Sequence, residues 1–142
     1  CRTMLKAPGP FLGIRGIRHL SKKVRNYPEK LGEEKARLYL SQIIRMQEEI
    51  GTGGAGFRYL YSAFLQEAGS FLENAKLLEL SDRMTQTGDK WREFALLASR
   101  ICKHKAEPVQ SCQRLGDILA ECAEWEKAVF MELKKAVKQM EK

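Results

Sequence analysis

The sequence predicts an all-α protein, a single-domain bundle of about five or six helices that ends in one long C-terminal helix. Three observations carry this. Apolar residues recur three and four apart through most of the chain, the spacing of one helix face. No segment alternates with period two, as a half-buried strand would. From about Pro108 to Met140, Cys112, Leu115, Leu119, Cys122, Val129, Leu133, Ala136 and Met140 keep the helical step with one interruption, at Glu126. A chain of 142 residues is one domain's worth, enough to bury about two-thirds of its unfolded surface.

Residues 1–11 read as a linker or the tail of a missing upstream domain, ending in the breaker Pro8-Gly9-Pro10, and residues 12–142 as the bundle. The start at Cys1 rather than Met suggests a processed or truncated product of something longer. The first helix is expected from about Leu12 to Asn26. Ile14, Ile17, Ser21 and Val24 face inward, while Arg15, Arg18, Lys22 and Arg25 form a basic stripe on another face. Pro28 ends it, because the residue before a proline is pushed out of the α region. A second helix then runs from Pro28 or Glu29 to Glu49, with Leu31, Leu38, Ile43, Met46 and Ile50 among its apolar positions.

Next comes the stretch Gly51 to Ala68, with four glycines in six positions followed at once by an apolar stripe at Phe57, Leu60, Tyr61, Phe64, Leu65 and Ala68. The third helix covers about Gly54 to Ala68, and Gly69 with Ser70 either breaks it or sits inside a longer helix. A fourth is placed at Ser70 to Met84, carried by Phe71, Leu72, Ala75, Leu78 and Asp82. Thr85 to Asp89 reads as a turn with Thr87 or Asp89 as the N-cap. The fifth, Asp89 to Lys103, turns Trp91, Phe94, Ala95, Ala98 and Ile101 inward. In the last helix Glu126 falls where an apolar residue is expected, and a buried carboxylate needs a partner. Either an arginine such as Arg58 or Arg92 meets it, or Trp125 turns inward and leaves Glu126 in solvent; the reading favours the second.

The glycine corner contains a literal GxGxxG at Gly51, Gly53 and Gly56, but a dinucleotide fingerprint needs a preceding strand, and Tyr39, Ile43, Met46 and Ile50 repeat at helical spacing. A phosphate-binding P-loop would need Lys and Ser or Thr where Phe57 and Arg58 stand. What remains is a helix start whose exposed N–H groups and Arg58 suit an anion, so Gly51, Thr52, Gly53, Gly54, Phe57, Arg58 and Tyr61 are the candidate substrate- or anion-binding residues. The alternative is a tight corner in which Arg58 bonds a carbonyl or carboxylate.

The net charge of +7 is local. Residues 1–30 carry eight positive side chains against Glu29 alone, and the remaining 112 carry seventeen of each sign. Arg15, Arg18, Lys22 and Arg25 are therefore either a solvated face of a plain binding or scaffold bundle or the candidate docking face for an acidic partner, phosphate or nucleic acid. Nucleic acid is disfavoured, because no aromatics interleave with the stripe. Cys1, Cys102, Cys112 and Cys122 form no CxxC pair, and His19 and His104 are isolated, so neither metal nor cofactor is expected. Nothing assembles a catalytic set. No run of about eighteen apolar residues exists to span a membrane, no signal peptide is visible, and cysteines on apolar helix faces suit a reducing cytosol.

Gly13-Ile14-Arg15-Gly16-Ile17, Gly51-Thr52-Gly53-Gly54 with Phe57-Arg58, Tyr61, Phe64-Leu65 and Glu67-Ala68, and Gly88-Asp89-Lys90-Trp91 together resemble the C-terminal helical domain, of uncharacterised function, of proteins similar to butirosin biosynthesis protein H. The resemblance runs from about Leu12 onward. It implies an accessory domain whose papain-like N-terminal partner, absent from this chain, carries the cysteine and histidine of an acyltransferase that draws on an acyl carrier protein. Cys1 matches nothing in that catalytic motif, so no nucleophile transfers to this chain. The carrier is acidic and bears a phosphate, which would suit the basic stripe and the Arg58 corner.

Overall fold

The computed structural model describes residues 2–6, 8–51 and 54–140. Among them are seven α-helices and no strand: α1 (Arg2–Leu5), α2 (Gly13–Arg25), α3 (Tyr27–Leu31), α4 (Glu33–Glu48), α5 (Arg58–Phe71), α6 (Ala75–Cys102) and α7 (Pro108–Met140), with a short 3-10 turn at Ala55–Phe57. The all-α class and the long final helix are as the sequence predicts. No helix among the described residues is long and apolar enough to cross a membrane.

The core lies between α6 and α7, with α2 packed along one side of α7 and α5 along α6. Helix α2 buries Ile14, Ile17, Ser21 and Val24, the face its spacing predicts. Its approach to α7 is close. Ser21 Oγ donates to the Gly116 carbonyl at 2.7 Å, and a Cβ on Gly116 would come within 2.9 Å of the Ser21 carbonyl oxygen. Gly13 and Gly16 do similar work against the preceding segment, where a Cβ would meet the Met4 and Phe11 carbonyls. Within residues 1–11, α1 places Met4 and Leu5 against the core.

Three expected boundaries are corrected. The single helix from Pro28 to Glu49 is two, α3 and α4, because Gly32 takes φ 78° and ψ 159°, a conformation that no helix contains and that glycine alone adopts freely. On α4 the buried positions are Ala36, Leu40 and Gln47, while Leu38 and Met46, and Ile50 beyond its end, are exposed.

Helix α5 continues through Gly69 and Ser70, and the break follows it. Glu73 takes φ 48°, and the Asn74 side chain caps α6 by accepting from the N–H groups of Lys76 and Leu77 at 3.0 and 3.2 Å, as N-cap asparagine does. Phe71 and Leu72, expected to carry a helix face inward, are exposed.

The expected fourth and fifth helices are one 28-residue helix, α6. Thr85 to Asp89, read as a turn, is helix interior. Thr87 is fully buried and its Oγ1 donates one turn back to the Arg83 carbonyl. Gly88 is there for room, since a Cβ would stand 2.7 Å from Cε1 of the Tyr59 ring. The turn-forming chemistry of Thr and Gly is overridden by a packing demand.

Candidate functional site

The corner between α4 and α5 is built backwards, against the normal hand of the chain. Ala55, Gly56 and Phe57 all take positive φ, at 50°, 54° and 69°, a left-handed turn that costs about 1–2 kcal/mol at each residue carrying a Cβ. Ala55 is fully buried, and its N–H donates to Glu48 Oε1 at 3.1 Å. The same carboxylate oxygen accepts from Gln47 Nε2, which also donates to the Trp91 carbonyl at 2.9 Å. The end of α4 thus supplies its own carboxylate to the backbone donor that the sequence offers to an external anion.

Reversal of the chain throws Arg58, the first residue of α5, back over the turn. Its Nη1 donates to the Gly56 carbonyl at 2.8 Å, so close that a Cβ on Gly56 would overlap the guanidinium. Nε donates to Glu126 Oε1 at 2.8 Å, and the guanidinium carbon lies 4.4 Å from the centre of the Trp91 ring, within cation–π range. Trp91 Nε1 donates to the same Glu126 oxygen at 2.7 Å. One residue each from α5, α6 and α7 therefore meet in a single knot.

This corrects the favoured placement of Glu126. The carboxylate is 1% exposed and Trp125 is 40% exposed, with Lys90 Nζ 5.4 Å from the Trp125 ring centre. The burial holds because Arg58 and Trp91 give the charge two donors; without them a carboxylate at this depth would be untenable. Glu126 Oε2, itself buried, has no hydrogen-bond partner among the described residues.

Glu126, Met4, Phe57, Tyr61, Met84 and Phe130, together with Arg58, line a cavity of about 340 Å³. The Tyr61 ring packs 5.6 Å from Phe130 and 5.8 Å from Phe64, and burial pushes its hydroxyl pKa up. A second cavity of about 530 Å³ lies where Arg58 and Trp91 meet Phe11, His19 and Tyr27.

Of the expected site residues, Phe57, Arg58 and Tyr61 come together on one cavity. Gly54 is buried beside Glu48, Gly51 is exposed with φ 65°, and Thr52 and Gly53 lie outside the described residues. The basic stripe is divided. Arg18 pairs with Glu124, and Arg25 pairs with Asp117 at 2.7 Å and reaches the Gln113 carbonyl. Arg15 and Lys22 stay exposed, with no ion pair among the described residues. Sequence reasoning passes over Trp91, Met84 and Phe130 as parts of this site. It also misses a groove of about 430 Å³ where Lys127, Lys134, Lys135 and Lys138 of α7 join Lys6 around Leu5 and Met131.

Cys112 and Cys122 are buried, as their spacing suggests, and burial pushes their thiols up to about 11 and about 12. Such thiols are inert hydrophobes rather than nucleophiles. Among the described residues no group of His, Cys, Asp and Glu is arranged to hold a metal ion.

No curated protein and no solved structure matches the chain. A family model described as a domain of unknown function (DUF4872) matches residues 1–133.

Proposed function

The chain belongs to this family of domains of unknown function, and we propose that it serves as a non-catalytic helical domain that packs against a papain-like acyltransferase domain and shapes one wall of its substrate site. The observation that carries this reading is the outer face of α5. Leu60, Phe64 and Phe71 are 55%, 58% and 88% exposed and fall within one narrow sector of the helix, with Glu67 the charge among them, and Phe57, just before the helix, is 55% exposed. An apolar stripe of this size on the outside of a bundle, opposite a face that already buries Ser62, Leu65 and Gly69, marks a surface built for contact with protein. Phe57 belongs both to that stripe and to the cavity at Arg58, so a domain seated on α5 would border the cavity.

The choice of partner rests on the resemblance to proteins like butirosin biosynthesis protein H. In this reading an acidic acyl carrier protein is the further partner. Arg15 and Lys22, together with the α7 lysines Lys127, Lys134, Lys135 and Lys138, offer it positive charge with no ion pair among the described residues.

The coding sequence upstream of Cys1 provides the first test. A papain-like domain is expected there, and its absence overturns the reading. In the two-domain protein, Leu60→Asp with Phe64→Asp should leave the helical content intact while loosening the domains, seen as faster proteolysis between them and slower acyl transfer. Unchanged proteolysis and transfer would show that α5 faces solvent. Charge reversal at Lys134 and Lys138 should weaken carrier binding and flatten its salt dependence.

A further inference from the structure

The knot at Glu126 is half satisfied. Oε1 accepts from both Arg58 Nε and Trp91 Nε1, while Oε2 is buried and has no donor among the described residues. Leaving a charged acceptor unpaired in the interior costs more than a buried neutral group, which itself costs about 1–3 kcal/mol. The fold could avoid that with a third donor or with an apolar residue at 126, and does neither.

Glu126 also lines the 340 Å³ cavity, whose other walls are mostly apolar and aromatic: Met4, Phe57, Tyr61, Met84 and Phe130. A concave, largely apolar space with few polar groups is the usual form of a small-molecule site, and this one opens to solvent past Phe57. The charge balance narrows the ligand. Arg58 already neutralises Glu126, so an organic cation would bring an unmatched positive charge beside the guanidinium, and an anion would face the bare carboxylate oxygen. A hydrocarbon would fill the walls and leave Oε2 as it is.

We propose that this cavity binds a neutral, largely apolar molecule carrying one hydroxyl or amide-type N–H, which donates to Glu126 Oε2 while its body packs against Tyr61, Met84 and Phe130. The proposal concerns this chain alone and holds whether or not another domain covers α5.

The test is a titration of the full chain with 4-ethylphenol, followed by the indole N–H resonance of Trp91, which shares Glu126 with the ligand. The comparators are 4-ethylanisole, which lacks the donor, and 2-phenylethylamine, which carries a positive charge. Expected is saturable binding of the phenol, at least about tenfold tighter than either comparator, the worth of one charge-assisted hydrogen bond. Equal affinity for phenol and anisole, tighter binding of the amine, or no saturable shift of Trp91 with the phenol overturns the proposal. Glu126→Gln replaces Oε2 with an amide nitrogen and should bring the phenol down to the anisole's affinity; phenol binding that survives it unchanged also sinks the idea. Because the three-ligand comparison uses the unaltered chain, it decides the matter even if Glu126→Gln does not fold.

Discussion

Two glutamates of α7, six residues apart, are held by the same chemistry to opposite ends. Glu126 is buried and receives Arg58 and Trp91. Glu132 is about one-third exposed and receives Lys76 at 2.6 Å and Arg83 at 2.7 Å, in a cluster that also draws in Glu79. Counted as ion pairs, the second site is the richer. In energetic terms the first dominates what happens on mutation, because water can solvate Glu132 if its partners leave and cannot do so for Glu126. The difference teaches that an ion pair's importance to this fold follows from depth rather than from the number of partners. The buried pair fixes how α5, α6 and α7 meet, and the exposed one decorates a contact already made.

The comparison is sharpest where one partner is removed. Arg58→Ala should cost about 3–5 kcal/mol in a urea titration, since it strands a buried carboxylate, whereas Arg58→Met combined with Glu126→Leu should be close to neutral or stabilising. A single-mutant loss below about 1 kcal/mol would show that Glu126 reaches water and would collapse the contrast. Trp91→Phe keeps the ring and deletes the N–H, so a loss of about 1–3 kcal/mol is expected, seen as a lower urea midpoint with the slope unchanged.

At the exposed site, Arg83→Ala should cost no more than about 1 kcal/mol, and most of that should vanish in about 1 M salt. A penalty for Arg58→Ala that persists in the same salt would separate the two classes. The smallest effect is that of pH. Hydrogen bonds from Lys76 and Arg83 lower the Glu132 carboxyl from its ordinary 4.5 to about 2. A depressed folded value means that the stability contributed by Glu132 is present above about pH 4.5 and is lost as pH falls through about 2. The stability gap between the wild type and Glu132→Gln should close over that window, and a gap that stays constant down to about pH 2 would contradict it.

Much of this architecture is legible in the sequence. The inward face of α2, the extent of α7 and the break near Pro28 follow from period and proline geometry, which are local. What local rules miss are residues chosen for a distant neighbour. Gly88 reads as a turn because nothing near it in sequence reveals Tyr59, and Thr87 reads as an N-cap although its hydroxyl bonds back within its own helix. Asn74 has the chemistry of an N-cap, but the apolar residues before it, Phe71 and Leu72, suggest a helix that has already begun.

The candidate site shows the same division. Arg58 stands out beside its glycines and Glu126 as a break in a stripe, yet only folding brings them within 2.8 Å. The period puts Phe57, Leu60, Tyr61, Phe64, Leu65 and Ala68 on one stripe, but the structure divides it, burying Leu65 and leaving Phe57, Leu60 and Phe64 outward.

The packing of α2 against α7 has a consequence in time. Its main polar ties, Ser21 to Gly116, Arg25 to Asp117 and Arg18 to Glu124, each span roughly ninety residues or more of chain, while α5 and α6 are neighbours in sequence and can pair as a hairpin. Contacts so distant are slow to form, and a chain made from its N-terminus acquires its elements in order. During synthesis α2 therefore waits with Ile14, Ile17 and Val24 uncovered until α7 has emerged, and a helix made well before α5 and α6 is seated after them.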